Sequence, residues 1–96
     1  MLGIIARVRI HKGREADWER IFAERRKRVL AIEPDTLIYD LLRSKADPSV
    51  YIAVERFTSE EAYFAHRAGS QGHEAMLACI DGDPEIDYMD LVEDCW

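Results

Sequence analysis

The sequence lacks the features that mark membrane-spanning, secreted and zinc-binding chains. Among its 96 residues, no apolar run approaches the roughly 20 residues that a helix needs to cross a bilayer. The opening stretch, MLGIIARVRI, contains two arginines and no small-residue cleavage site, so we do not expect a signal peptide. The cysteines, Cys79 and Cys95, form neither a CxxC pair nor a zinc spacing. We interpret them as free thiols of a cytoplasmic protein.

The sequence also has fewer basic than acidic residues. The chain has 13 Lys and Arg against 19 Asp and Glu, a formal net charge of -6. Contacts to phosphate dominate nucleic-acid affinity, so this balance argues against a nucleic-acid partner. The one basic run, residues 25–28, lies toward the end of a predicted helix with an acidic start, and we interpret it as a complement to the helix dipole. Apolar (48%) and charged (33%) fractions are those of a globular chain, and we expect one domain over residues 1–96.

Hydrophobic periodicity predicts the first half of the fold. Residues 3–11 alternate apolar and polar side chains, which indicates a strand followed by a turn at Lys12-Gly13. From Arg14 to about Ile32, apolar residues recur at helical spacing and form one stripe. Pro34 then ends the helix, because the residue before a proline is disfavoured in the helical conformation.

The second half continues with strands, a broken helix and a last strand. TLIYDLLR (36–43) and VYIAVERF (50–57) are typical strands. Thr58 and Glu61 have the spacing of a capping box, with Ser59 as an alternative cap, so we predict a helix from about Ser59 to Ala68. Two glycines interrupt it before a second helical segment, 73–80, and a final strand covers 85–92.

This order, β-α-β-β-α-β, predicts a ferredoxin-like α+β domain with a four-stranded antiparallel sheet. Two helices can cover only one face of such a sheet, yet the predicted strands carry apolar residues on both faces. An uncovered apolar face would be a large adhesive patch. We therefore predict a homodimer that packs sheet against sheet.

The chain resembles the antibiotic biosynthesis monooxygenase (ABM) domain, including the quinol-monooxygenase-like proteins of the dimeric α+β barrel superfamily. The resemblance covers nearly all of the sequence. It rests on four stretches in the family's order, ARVRIHKGRE (6–15), EPDTLIY (33–39), ERFTSEEAYFAH (55–66) and SQGH (70–73).

The resemblance implies a monooxygenase that uses neither flavin nor metal and oxidises a small phenolic or quinol-type aromatic compound with dioxygen. Such a compound can itself reduce dioxygen once it is deprotonated, so the protein needs a dry aromatic pocket and a group that takes the proton. The sequence agrees, since it contains no Gly-rich dinucleotide fingerprint and no cluster of metal ligands.

Two histidines are the candidate bases. His66 shares a predicted helix face with Ala62 and Tyr63, where it is either a core histidine paired with a group such as Glu55 or a pocket base. His73 follows the glycine break, a place where pockets often open, and is either a half-exposed histidine or a second pocket residue. Six residues separate the two histidines, and we do not expect them to bind a metal together.

Five aromatic residues are candidate walls for a substrate, although large aromatics at such spacing are more often plain core, our default interpretation of Trp18 and Phe22. Tyr39 and Tyr63 carry hydroxyl groups that could orient a substrate oxygen. The other three are Trp18, Phe22 and Phe57.

Two rival functions share the fold. Haem-degrading relatives use an asparagine, a tryptophan and a histidine, whereas this sequence contains no asparagine and has His66 where that family has its tryptophan. The second rival is a dimeric module that binds a small ligand without turning it over, because a fold does not fix a function.

Overall fold

The structure, a computed structural model, describes residues 1–69 and 73–92 and confirms the predicted order of elements. Predictions that concern Gly72 and Cys95 lie outside the described residues. The elements are β1 (Leu2–Arg9), α1 (Glu15–Ile32), β2 (Thr36–Arg43), β3 (Val50–Phe57), α2 (Glu60–Ala68), α3 (His73–Cys79) and β4 (Glu85–Asp90). None of the described helices is long and apolar enough to cross a membrane.

The four strands form one antiparallel sheet in the order β2-β3-β1-β4, as expected for a ferredoxin-like fold. β1 begins and ends earlier than the predicted 3–11, and β4 stops two residues before the predicted 92. A register shift between Thr36 and Ile38 marks an irregularity at the start of β2. Because cross-strand partners share a face, the register fixes which side chains lie together.

α1 follows the turn at Gly13, whose φ of +93° suits a residue without a Cβ atom. Four residues at helical spacing, Trp18, Phe22, Arg25 and Val29, are its buried positions. The capping box predicted at Thr58 and Glu61 is wrong, and the alternative is confirmed. Ser59 caps α2 by accepting a hydrogen bond from the backbone N–H of Ala62 at 3.1 Å.

The two faces of the sheet differ in burial. The covered face, which the helices pack against, has rows such as Tyr39, Glu55, Ile4 and Tyr88 running across all four strands. The open face has no element over it in the described residues. Its rows include Asp40, Val54, Ile5 and Asp87, and Leu42, Ile52, Arg7 and Glu85.

Candidate active site

A cavity of about 160 Å³ lies between the covered face and the helices. This volume is close to that of an engineered apolar cavity of about 150 Å³ that binds benzene, so it has room for one aromatic ring. Side chains from all four strands and all three helices line it, with Ile86 from β4 and Pro84 just before that strand. Most of the lining is apolar, and the ionisable exceptions are Arg25, Glu55, His66, Arg67, His73 and the two tyrosines Tyr39 and Tyr63.

His66 is buried, at 5% exposure, and is held by two carboxylates. Its Nδ1 lies 2.7 Å from Glu33 Oε1, and its Nε2 lies 3.7 Å from Glu55 Oε1. The same Glu33 oxygen accepts a hydrogen bond from Thr36 Oγ1 at 3.0 Å, which fixes its position at the end of α1. A carboxylate only accepts hydrogen bonds, so neutral His66 donates from Nδ1 and keeps a lone pair on Nε2.

Burial favours the neutral forms of both His66 and Glu55. Loss of solvation lowers the pKa of His66 below its ordinary value of 6.5, although the hydrogen bond that His66 donates to Glu33 opposes this change. Burial also raises the pKa of Glu55 from 4.5 to about 7, with the charge of Arg25 acting in the opposite direction. The cavity therefore offers an uncharged nitrogen base beside a carboxyl group that ionises near neutral pH.

Tyr39 and Tyr63 keep their protons throughout the physiological range. Burial raises the pKa of each phenol to about 12. The Tyr39 ring lies edge-on to His66, with a centroid distance of 5.3 Å, and the Tyr63 hydroxyl lies 3.5 Å from that of Tyr88. Both tyrosines line the cavity and are available as hydrogen-bond donors.

The interpretation of the basic run as a complement to the helix dipole is wrong for Arg25, which is not on the surface. The last turn of α1 contains no basic residue, and Arg25 is buried at 8% exposure against the cavity. A signal for this was present in the sequence. Position 25 falls in the apolar stripe between Phe22 and Val29, so a cation there must lie under the helix.

The structure brings most of the predicted site residues together. Trp18, Phe22, Tyr39, Tyr63 and His66 line the cavity, and so does the exposed His73, which lies with Leu77 and Ile86 at its mouth. Phe57 is the exception, because it is absent from the described lining. It is fully buried behind the site, with its ring centroid 5.3 Å from that of His66.

Sequence reasoning missed Glu33 and undervalued Glu55. Glu55 shares strand parity with the buried Tyr51 and Ala53, which already places a carboxylate on the covered face. Nothing local indicates Glu33, since it meets His66 only through the packing of α2 over the end of α1. Among the described residues, no three His, Cys, Asp or Glu side chains are arranged to hold a metal ion.

His66 also lines a second cavity, of about 280 Å³, on the other side of its ring. This cavity lies between the end of α1 and α2, and Glu33 forms part of its wall. The Glu33 side chain is 25% exposed, whereas that of Glu55 is 13% exposed. His66 thus borders two cavities, one lined by aromatic side chains and one lined by the end of α1 and by α2.

Comparison with known proteins agrees with this architecture. The profile of the family described as antibiotic biosynthesis monooxygenase matches residues 1–78. A candidate antibiotic biosynthesis monooxygenase from Caulobacter crescentus is 32% identical, with a TM-score of 0.84 over 95% of this chain and 89% of that one. A variant of SnoaB, a cofactor-independent oxygenase from Streptomyces nogalater, is 23% identical and has a TM-score of 0.78 over 95% and 92% of the two chains. No curated protein matches the sequence.

Proposed function

The chain belongs to the antibiotic biosynthesis monooxygenase family, and we propose that it is a cofactor-independent monooxygenase that oxidises a small phenolic or quinol-type compound with dioxygen. The observation that carries the proposal is the buried His66, which Glu33 orients and which lines a cavity the size of one aromatic ring. SnoaB, which shares the fold, is a cofactor-independent oxygenase. A cytoplasmic location stays a prediction of the sequence.

In the proposed reaction, Nε2 of His66 accepts the proton of the substrate hydroxyl group. The resulting phenolate gives one electron to dioxygen, and the two radicals combine to form a bond between a ring carbon and oxygen. The peroxide takes back the proton from His66. Loss of the hydrogen on that carbon then breaks the O–O bond and releases water, so that a phenol and dioxygen give a quinone and water.

The chain's own groups supply what this sequence of steps needs. The apolar lining excludes water, which lowers the cost of forming a neutral base and strengthens each polar contact. His66 has a lowered pKa, so it is unprotonated and ready to act at neutral pH. Tyr39 and Tyr63 orient the substrate oxygen through hydroxyl groups that stay protonated, and Trp18 and Phe22 contact the ring.

Oxygen uptake with a panel of hydroquinones and naphthols tests the proposal. Replacing the base in His66→Gln should lower kcat/KM by about 10²–10⁴-fold, the usual contribution of a positioned base. His73→Gln should cost less, because His73 is exposed at the cavity mouth. His11→Gln, the third histidine, is exposed and outside the cavity lining and serves as the control.

Three results would contradict the proposal. Uptake that survives in His66→Gln would remove His66 as the base, and a larger loss in His73→Gln would transfer that role to His73. Tight binding of a phenol without any oxygen consumption by the wild type would instead favour the ligand-binding module.

We further propose that the open face joins two copies of the chain. Its half-buried centre is apolar, with Ile5, Ile52 and Val54 on the two inner strands. Arg7 lies on an inner strand, whereas Asp40 and Asp87 lie on the two outer strands. A face that carries both charge signs around an apolar centre can pair with a second copy of itself about a two-fold axis.

A further inference from the structure

Two buried hydrogen-bond donors on α1 have no partner in the part of the chain that the structure describes. They are Nε1 of Trp18 and Nε of Arg25, in side chains that are 3% and 8% exposed. Both residues line the cavity. Buried N–H groups are nearly always satisfied in folded proteins, so an unpaired pair beside a cavity indicates a ligand with acceptor atoms.

The charge of Arg25 leads to the same conclusion. No described carboxylate lies within 4.0 Å of its guanidinium group. One of its terminal nitrogens instead contacts Met76 Sδ at 3.3 Å, and sulfur is a weak acceptor. A second contact is a hydrogen bond with Tyr39. The charge of Arg25 also acts on Glu55 across the cavity, but Glu55 has a pKa of about 7 and is only partly ionised at neutral pH. A buried cation whose direct partners are neutral therefore favours a further anion nearby.

We propose that Arg25 and Trp18 bind an anionic oxygen on the aromatic ligand, so that the cavity selects ring compounds with an ionisable hydroxyl group and stabilises them as anions. Arg25 is then a specificity-determining residue. The proposal rests on the proposed function only in taking this cavity as the ligand site. An apolar chamber of this size would otherwise accept unsubstituted rings equally well.

The same arrangement suits the proposed reaction. Once His66 has taken the proton, the ligand carries a negative charge in a cavity that already contains Glu55. A guanidinium group compensates that charge and is always protonated. It also offers several donors in one plane, which suits an oxygen that has lone pairs in the plane of the ring.

Binding of 4-nitrophenol tests the proposal, because its anion absorbs visible light and its neutral form does not. The wild type should bind the anion and shift its ionisation to lower pH. Arg25→Gln should weaken anion binding by about 10- to 100-fold and abolish that shift, since charge-assisted hydrogen bonds are the stronger kind. Arg25→Lys should restore part of both effects. Besides Arg25, the charged and titratable groups that line the cavity in this titration are Glu55, His66, Arg67, His73, Tyr39 and Tyr63.

The adjacent arginine supplies a matched control. Arg26 is exposed and bonded to Asp40 and to the backbone oxygen of Tyr39, outside the cavity lining, so Arg26→Gln should bind 4-nitrophenol as the wild type does. Trp18→Phe removes the indole N–H together with part of the ring system, and should cost about 3- to 10-fold in affinity for the anion. The neutral ether 4-nitroanisole should bind equally well to the wild type and to Arg25→Gln.

Three results would overturn the inference. The first is equal binding of the anion by the wild type and Arg25→Gln, and the second is no binding of the anion by the wild type. The third is that Arg25→Gln loses as much affinity for 4-nitroanisole as for the anion, which would indicate a merely structural role for Arg25. Failure of the proposed function can be distinguished from failure of this inference. Anion binding that depends on Arg25 without oxygen uptake would leave this inference standing, whereas uptake that depends on His66 but not on Arg25 would leave only the function.

Discussion

The two faces of the sheet carry ionisable residues in opposite settings. On the covered face, Glu55 lies between Tyr39 and Ile4 under the helices, and burial changes its acidity. On the open face, the neighbouring position Val54 is flanked by Ile5 and Asp40, and Asp40 is exposed and paired with Arg26 at 3.2 Å. Consecutive residues of one strand therefore face a mostly apolar cavity and an accessible surface.

The two settings suit the two proposed roles, catalysis on the covered face and association of two copies on the open face. A titratable group changes its pKa when it is deprived of water, and within one copy of the chain burial has this effect on Glu55 and His66 of the covered side. Charges that stay hydrated contribute little to stability but can orient a partner. Changes to the covered face should thus alter pH dependence and turnover, and changes to the open face should alter oligomeric state alone.

The largest expected effect is on the open face. Val54→Lys places an ammonium group opposite Asp40 in the monomer, where it is tolerated, but buries two such groups in the proposed dimer. The dimer dissociation constant should rise more than about 100-fold, because each unpaired charge loses its hydration. Sedimentation equilibrium of the wild type and the variant measures this change.

Leu30→Lys is the control for that measurement, since Leu30 is 44% exposed on α1, away from the sheet. A monomeric wild type, or a Val54→Lys variant that remains dimeric, would show that the open face is not the interface.

The next effect concerns Glu55 and the free energy of unfolding. Its pKa is higher in the folded state, so the folded protein retains a proton that the unfolded chain releases between about pH 4.5 and about 7. Stability is therefore lost as the pH rises through this range. Glu55→Gln removes the ionisation and should stabilise the protein by up to about 3 kcal/mol at about pH 8, with little change at about pH 4.

Urea unfolding at both pH values measures the difference between the wild type and Glu55→Gln. The groups nearest to Glu55 are Arg25, Glu33 and His66, and they are retained in both proteins. Glu61→Gln, an exposed position on α2, should leave the pH dependence as it is. Equal stability of Glu55→Gln and the wild type at about pH 8 would mean that Glu55 is not buried as an acid.

The smallest expected effect comes from the residue that orients the base. Glu33→Gln keeps a hydrogen-bond acceptor at His66 Nδ1 but removes the negative charge, which lowers the pKa of His66 further. We expect kcat to fall on the order of 10-fold, a fraction of what the base itself contributes. The acidic limb of the pH profile should move to lower pH, with Arg25, Arg28 and Glu55 still facing the ring.

Asp35→Asn is a nearby control for this experiment, because Asp35 is exposed and does not contact His66. An unchanged acidic limb in Glu33→Gln would show that another group controls the profile.

The fold was predictable because its signals are local. Alternation defines the strands, and the apolar stripe of α1 with Pro34 behind it defines the first helix. The cap of α2 shows the limit of such reasoning. Thr58 and Ser59 are both good caps with helical sequence after them, and only the backbone geometry at Ser59 decides between them.

The site was predictable only in part. His66 lies on the apolar side of α2, so the sequence could place it under the helix but not name its partner. Glu33 lies 33 positions away along the chain, and its contact depends on how two elements pack. Arg25 was in the right stripe but was grouped with its charged neighbours, because a run of basic residues usually marks a solvated surface.

His66 lines both of the cavities described above, the aromatic one at the sheet's covered face and the one between the end of α1 and α2. Glu33 is hydrogen-bonded to Nδ1 of His66 and lines the second cavity, whereas Nε2 lies near Glu55, which lines the first. In the proposed reaction the proton moves only between the ligand and Nε2, so Glu33 holds the tautomer and carries no proton away. If the proposed reaction holds, the His66 proton returns to the peroxide within the same cycle, so the protein needs no proton from bulk water between deprotonation and product release.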